Sequence, residues 1–82
     1  MKYNIRFKPR ALKDGEKIPK QELARIFEKI QALENDLSGD VKHLTNFYPE
    51  YRLRVGNYRV LFEIEENSVV VYRIRHRRDI YR

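Results

Sequence analysis

Apolar and polar residues alternate over Tyr3-Asn4-Ile5-Arg6-Phe7, the period of a half-buried strand. Pro9 ends that run and can open a short helical turn through Arg10-Ala11-Leu12-Lys13-Asp14, which Gly15 breaks before Ile18 and Pro19. From Pro19 to about Leu37 the period lengthens. Leu23, Ile26, Phe27, Ile30, Leu33 and Leu37 follow at steps of three or four and predict one long helix with a single apolar stripe. Pro19 at its first turn, Glu22 near its start and Gly39 beyond its end are the matching boundary signals. Residues 38–49 read as a loop, with Leu44, Phe47 and Tyr48 tucked under the edge of the fold. Alternation then returns in Tyr51-Arg52-Leu53-Arg54-Val55. Gly56-Asn57 is a two-residue hairpin turn, Tyr58 to Ile64 a second strand, and Val69 to about His76 a third. The order is strand, short helix, long helix and antiparallel three-strand meander. It predicts an α+β domain spanning 1–82, with the helices packed on one face of the sheet.

Side chains alternate across a sheet, so parity assigns faces. Tyr51, Leu53 and Val55, then Tyr58, Val60, Phe62 and Ile64, then Val70, Tyr72, Ile74 and His76 are assigned to the helix side. By elimination Arg52, Arg54, Arg59, Arg73, Arg75 and Arg77 stand together on the other face, where Glu63 is the one expected carboxylate.

Charge sharpens this picture. Residues 1–49 hold seven Lys and three Arg, whereas residues 50–82 hold eight Arg and no Lys, within a chain of net charge +6. Arginine's planar fork grips phosphate bidentately and stacks on bases, which lysine cannot do. One explanation is pairing with Glu50, Glu63, Glu65, Glu66 and Asp79. The other is a polyanion, because like charges at cross-strand distances repel and a nucleic acid relieves them. A flat face of arginine and aromatic side chains suits single-stranded RNA better than duplex DNA, which a helix would read in its major groove. Cysteine is absent, which excludes disulfides, thiol catalysis and cysteine metal sites. Two histidines far apart in sequence give no metal spacing, and neither a phosphate-binding glycine loop nor a Ser-His-Asp pattern occurs; no metal and no cofactor are expected. No apolar run resembles a signal peptide or a membrane span, so a cytoplasmic protein with no membrane partner is expected.

The chain's end adds chemistry. His76 is a candidate acid or base, imidazole being the side chain most often used for that work, or else a satisfied histidine at a strand end. Tyr81 offers a ring for stacking or for packing. His43, in the loop, has no evident partner and reads as solvent-exposed.

The segment 51–62, Tyr-Arg-Leu-Arg-Val-Gly-Asn-Tyr-Arg-Val-Leu-Phe, with Val69-Val70-Val71-Tyr72-Arg73-Ile74-Arg75-His76-Arg77-Arg78-Asp79-Ile80-Tyr81, closely resembles toxins of the RelE/ParE superfamily. The opening Tyr3 to Ala11 resembles their first strand and helix entry, so the resemblance covers nearly the whole chain. It implies a RelE-like fold and the toxin of a type II toxin–antitoxin system. The RelE branch further implies an endoribonuclease that enters the ribosomal A site and cuts mRNA without a metal, by attack of the ribose 2′-OH on the adjacent phosphate. Carried onto this sequence, the resemblance implies phosphate stabilisation by Arg59 and Arg77, and a functional His76. It also implies RNA contacts by Arg52, Arg54 and Arg75 and base stacking by Tyr81; Arg73 and Arg78 are further candidate RNA contacts from the basic set itself. Some RelE toxins carry lysine where this chain has Arg52 and Arg54. Arginine is a poor general base, which leaves His76 or Glu50 for that role. An acidic antitoxin is the implied partner beside the ribosome and mRNA, and operator DNA would be met only through that antitoxin. The ParE branch shares the fold but targets DNA gyrase, and a non-catalytic RNA-binding domain is the third possibility.

Overall fold

The structure, a computed structural model, describes residues 1–79. Strand β1 spans Asn4–Phe7, helix α1 Pro9–Gly15 and helix α2 Lys20–Ala32. Strands β2 (Val41–His43), β3 (Tyr51–Val55), β4 (Tyr58–Glu65) and β5 (Ser68–His76) follow. They form one five-stranded sheet in the order β1-β5-β4-β3-β2. The expected meander is present as β3-β4-β5, antiparallel throughout, and β1 joins its far edge parallel to β5.

Helix α2 ends earlier than the apolar stripe predicts. After Ala32 the backbone tightens into i→i+3 hydrogen bonds, Glu34 N–H to Gln31 O and Asn35 N–H to Ala32 O, and Asp36 and Leu37 turn to positive φ. The stripe still works: Ile26, Ile30 and Leu33 are buried against Leu53, Val60, Phe62, Val69 and Val71. Burying each such side chain contributes about 1.5–3 kcal/mol. Phe27, placed in the same stripe, is 36% exposed and meets Phe7 edge-on at the rim. Gly56 takes φ +56, the left-handed value that a tight β3–β4 turn requires, and Gly15 ends α1 beneath Leu23, ahead of Ile18 and Pro19 as expected.

Two features depart from the sequence reading. Residues 38–49 are not all loop, since Val41–His43 pairs antiparallel with Leu53–Tyr51 as the edge strand β2. The second departure is a bulge. Phe62 pairs with Val71 but Leu61 pairs with Arg73, so Tyr72 is an extra residue in β5. Parity reverses there. Val69 and Val71 turn inward opposite Ile64 and Phe62, and Val70 turns outward opposite Glu63, the reverse of the expected assignment. Beyond the bulge Ile74 and His76 return to the helix side and Arg73 and Arg75 to the outer face, as expected.

The outer face is not bare. Leu61 and Val70 are buried there, outside the main core cluster. The segment before β3 reaches across to this face: Pro49 is buried, the Glu50 N–H donates to the Glu63 carboxylate, and the Tyr48 and Tyr72 hydroxyls hydrogen-bond at 3.0 Å. Pro49 is buried and Leu44 and Phe47 are half-buried, whereas Tyr48 is 68% exposed. Among the described residues no helix is long and apolar enough to cross a membrane.

Candidate nucleic-acid interface

Strand register builds the outer face in rows. Arg54 stands opposite Arg59, and Arg59 opposite Arg75, so three arginines lie side by side across β3, β4 and β5. Lys42, Arg52, Leu61 and Arg73 form the next row across β2 to β5. Lys42 was not anticipated, because a three-residue strand shows no period.

Two aspartates that sequence reasoning did not place flank these rows. Asp40 precedes β2 and accepts from Arg54 Nε at 2.6 Å, and its other carboxylate oxygen lies 3.8 Å from Arg52 Nη2. The Arg54 N–H also donates to the Asp40 carbonyl, so backbone and side chain fix the pair together. Arg52 is drawn down against the sheet, with its side chain only 13% exposed. On the far side Asp14 of α1 takes a two-pronged bond from Arg73, Nε at 2.7 Å and Nη2 at 3.0 Å, and accepts the Ile74 N–H at 3.0 Å. Strand β1 pairs only as far as Val71, so α1 takes over the β5 edge from there and Asp14 satisfies a backbone donor that would lack a strand partner. Glu63 is thus not the one carboxylate serving this face, and salt bridging accounts for Arg73, Arg54 and part of Arg52.

Asp14 gives a direct test. Burial raises its pKa, but the Arg73 and Ile74 hydrogen bonds and the charges of Arg73 and Arg75 outweigh that, and its carboxyl titrates below the ordinary value. A depressed native pKa contributes stability that is present above the unfolded value of about 4 and is lost as pH falls through the native value. Urea melts between neutral pH and pH 2 should show this acid loss, reduced in Asp14→Asn. Asp14→Ala should cost roughly 2–3 kcal/mol, because it strands a half-buried guanidinium and an edge N–H.

The middle of the face is different. Arg59 Nη1 donates to the Gly56 and Tyr58 carbonyls, both at 2.9 Å, which folds its guanidinium over the β3–β4 turn. Arg75 is half-buried and makes no hydrogen bond or ion pair among the described residues. Arg77 and Arg78 are exposed beyond the end of β5, and the Arg77 N–H still donates to the Asn57 carbonyl. Tyr81 lies outside the described residues.

His76 sits on the helix side, edge-on to Tyr58 at 5.4 Å, and its Nδ1 accepts the Arg78 N–H at 3.2 Å. Tyr58 in turn donates to Glu22, and burial together with that carboxylate pushes the phenol's pKa up. A cleft of about 350 Å³ at this end of the sheet brings His76 together with Arg75, Lys17, Asp14, Tyr58 and Asp79. His76 therefore borders the arginine row through Arg75 without joining its face. Glu50 sits at the other end of β3, its carboxylate 3.3 Å from His43 Nε2. His43 thus has a partner, and it also meets the Tyr51 ring at 5.0 Å. No group of three His, Cys, Asp or Glu residues among those described could hold a metal ion.

Chemically, this face offers fixed guanidiniums for a phosphodiester and an imidazole at its border. Comparison with known proteins narrows the reading. A family model described as the ParE toxin of the type II toxin–antitoxin system parDE matches residues 5–81. The chain is 33% identical to Toxin RelG of Mycobacterium tuberculosis over 89 aligned positions, covering all of this chain and 99% of that protein. It is 40% identical to Toxin RelE3 of Methanocaldococcus jannaschii over 47 residues, 57% of this chain and about half (53%) of that protein. Among solved structures it superposes on a chain of the RelB–RelE antitoxin–toxin complex from Methanococcus jannaschii with TM-score 0.77 and 30% identity, covering 93% and 94% of the two chains.

Proposed function

The chain belongs to the ParE toxin family, within the RelE/ParE superfamily of type II toxin–antitoxin systems, and on that premise we propose that it cuts mRNA in the ribosomal A site. The observation that carries this reading is the arginine row Arg54–Arg59–Arg75. Three like charges directly opposite one another weaken the free protein, and a phosphodiester strand laid across them reverses that cost.

In the proposed reaction a ribose 2′-oxygen bonds to the adjacent phosphorus as the bond to the 5′-oxygen breaks, leaving a cyclic phosphate. One proton leaves the 2′-OH and another reaches the departing oxygen. Arg59, Arg75 and Arg77 meet the negative charge that builds on the non-bridging oxygens, with Arg59 already anchored by the Gly56 and Tyr58 carbonyls. Arg54, oriented by Asp40, contacts the backbone at the β3 end of the row, with Arg52 beside it in the next row. Glu50 is four residues from Arg54 along extended chain, roughly 13 Å, beyond the reach of a phosphate held on the row. His76 borders the row through the cleft it shares with Arg75, so it is the better-placed acid or base. Tyr81 completes this reading as the stacking ring.

An acidic antitoxin that folds on the basic surface would neutralise the toxin. The RelB–RelE complex among the structural neighbours supports such a partner. The parDE description of the matching family model supports a second reading, inhibition of DNA gyrase.

Primer extension on a short message in purified translating ribosomes separates the two. New 3′ ends at A-site codons, absent when the protein is omitted, are the expected result. Intact message, with cleaved DNA accumulating in a gyrase assay, would replace the ribonuclease by a gyrase poison.

A further inference from the structure

We infer that the groove between Tyr48, Tyr72 and the start of α1 is a second nucleotide site. There an unpaired base of single-stranded RNA stacks on Tyr48 while Lys8 and Arg10 hold the adjoining phosphates; the inference rests on the RNA reading above. Tyr48 is the observation that prompts it, because a large aromatic 68% exposed contributes little to the core. It is nevertheless held in place. Its hydroxyl donates to the Tyr72 hydroxyl at 3.0 Å, the two rings meet edge-on at 5.6 Å, and Tyr72 in turn donates to Glu65 at 2.9 Å. At its base Pro49 is buried. A ring fixed at both ends loses little freedom when something stacks on it, which is the condition for a preformed platform.

Charge and size select the ligand. The groove has a volume of about 400 Å³, and Lys8, Arg10, Tyr48 and Tyr72 all line it. The Lys8 ammonium lies 5.2 Å from the Tyr72 ring centre, and Arg10 is exposed in the first turn of α1 with no ion pair among the described residues. The acid in the cluster, Glu65, already accepts from Tyr72. An exposed aromatic face with two cations beside it fits a base with its phosphates, and only an unstacked base can reach it.

Position ties the groove to the arginine row. Tyr72 is the bulged residue of β5, and Arg75 follows three residues later, roughly 10 Å along the strand. A strand crossing Arg75 therefore reaches Tyr48 with its next nucleotides. The bulge sets this geometry, because it takes Tyr72 out of the ladder at the point where the loop bearing Tyr48 crosses the outer face.

The test uses 2′-O-methyl oligoribonucleotides, which lack the attacking hydroxyl and so bind without being cut. Their affinity for the wild-type chain and its variants is read by fluorescence anisotropy, with 2-aminopurine in the strand as a stacking reporter. Tyr48→Ala should weaken binding of a hexamer about tenfold, within what one stacked base contributes, and should restore the quenched 2-aminopurine emission. Tyr48→Phe and Tyr48→Trp keep the ring and should bind within about twofold of wild type, because every base can stack on either face. Lys8→Ala with Arg10→Ala should reduce the salt dependence of affinity by roughly two phosphate contacts. Unchanged affinity in Tyr48→Ala, with a loss in Arg75→Ala, would remove the platform and leave the RNA reading standing. A wild-type protein that binds no oligonucleotide at low salt would remove both. If Tyr48→Ala weakens an acidic antitoxin and leaves RNA binding unmoved, the groove belongs to a protein partner and the inference is wrong.

Discussion

Arg59→Ala and Arg75→Ala should each release cells from growth arrest, with cleavage in the ribosome assay falling by roughly 10²–10³-fold, the usual cost of losing one preorganised charge-stabilising donor. The two residues face each other across β4 and β5, so a phosphate bound as proposed would touch both. The accompanying stability change separates a functional role from a structural one. Arg75 has no hydrogen bond or ion pair among the described residues, and its repulsion from Arg59 is set against its attraction to Asp14, so Arg75→Ala should leave the melting temperature nearly unchanged. Arg59 also ties down the Gly56 and Tyr58 carbonyls, and Arg59→Ala should lower stability by about 1 kcal/mol. Arg73→Ala should behave in the opposite way. Its guanidinium is committed to Asp14, so it should lose stability first and cleavage only as the folded fraction falls. Thermal melts alongside cleavage rates decide the matter, and an Arg75→Ala variant with full activity would sink the assignment of the row.

Phe62→Ala should give the largest stability loss from a single side chain, about 3–5 kcal/mol. Phe62 is fully buried at the centre of β4, stacked on Tyr51 at 5.4 Å and paired with Val71 immediately beside the bulge. A domain of this size has only about 5–15 kcal/mol in all. At roughly 4–8 °C per kcal/mol, the melting temperature should fall by tens of degrees. Phe62→Leu keeps most of the volume and should cost much less. Equal losses in the two variants would show that the site collapses around the cavity and that packing at the bulge is not what holds the sheet.

The contrast between these two predictions shows where the sequence is legible. Alternation at 51–55 and 58–64 with Gly56-Asn57 between them reveals the hairpin, because each local rule agrees with the fold. Its register alone brings Arg54 and Arg59 together. The last strand resists the same reading. Val69-Val70-Val71-Tyr72 is apolar throughout, so nothing in it marks which valines face inward or where the extra residue falls. Strand β2 is too short to show a period. The partners that quieten the arginines are set by tertiary packing: Asp14 meets Arg73 across 59 positions and Asp40 meets Arg54 across 14. Counting nearby carboxylates could not find them, and the arginine face consequently looked more uniformly charged than it is.

The parallel pairing of β1 with β5 has a consequence for synthesis. β5 is made after the other four described strands, yet it lies between β1 and β4. A chain emerging residue by residue can close the β3–β4 hairpin early, but β1 has no strand partner among the described residues until β5 arrives. Arg75 and His76 ride on that same strand. A chain stopped before β5 therefore leaves β1 and β4 without the strand that joins them, and it lacks Arg75 and His76 as well.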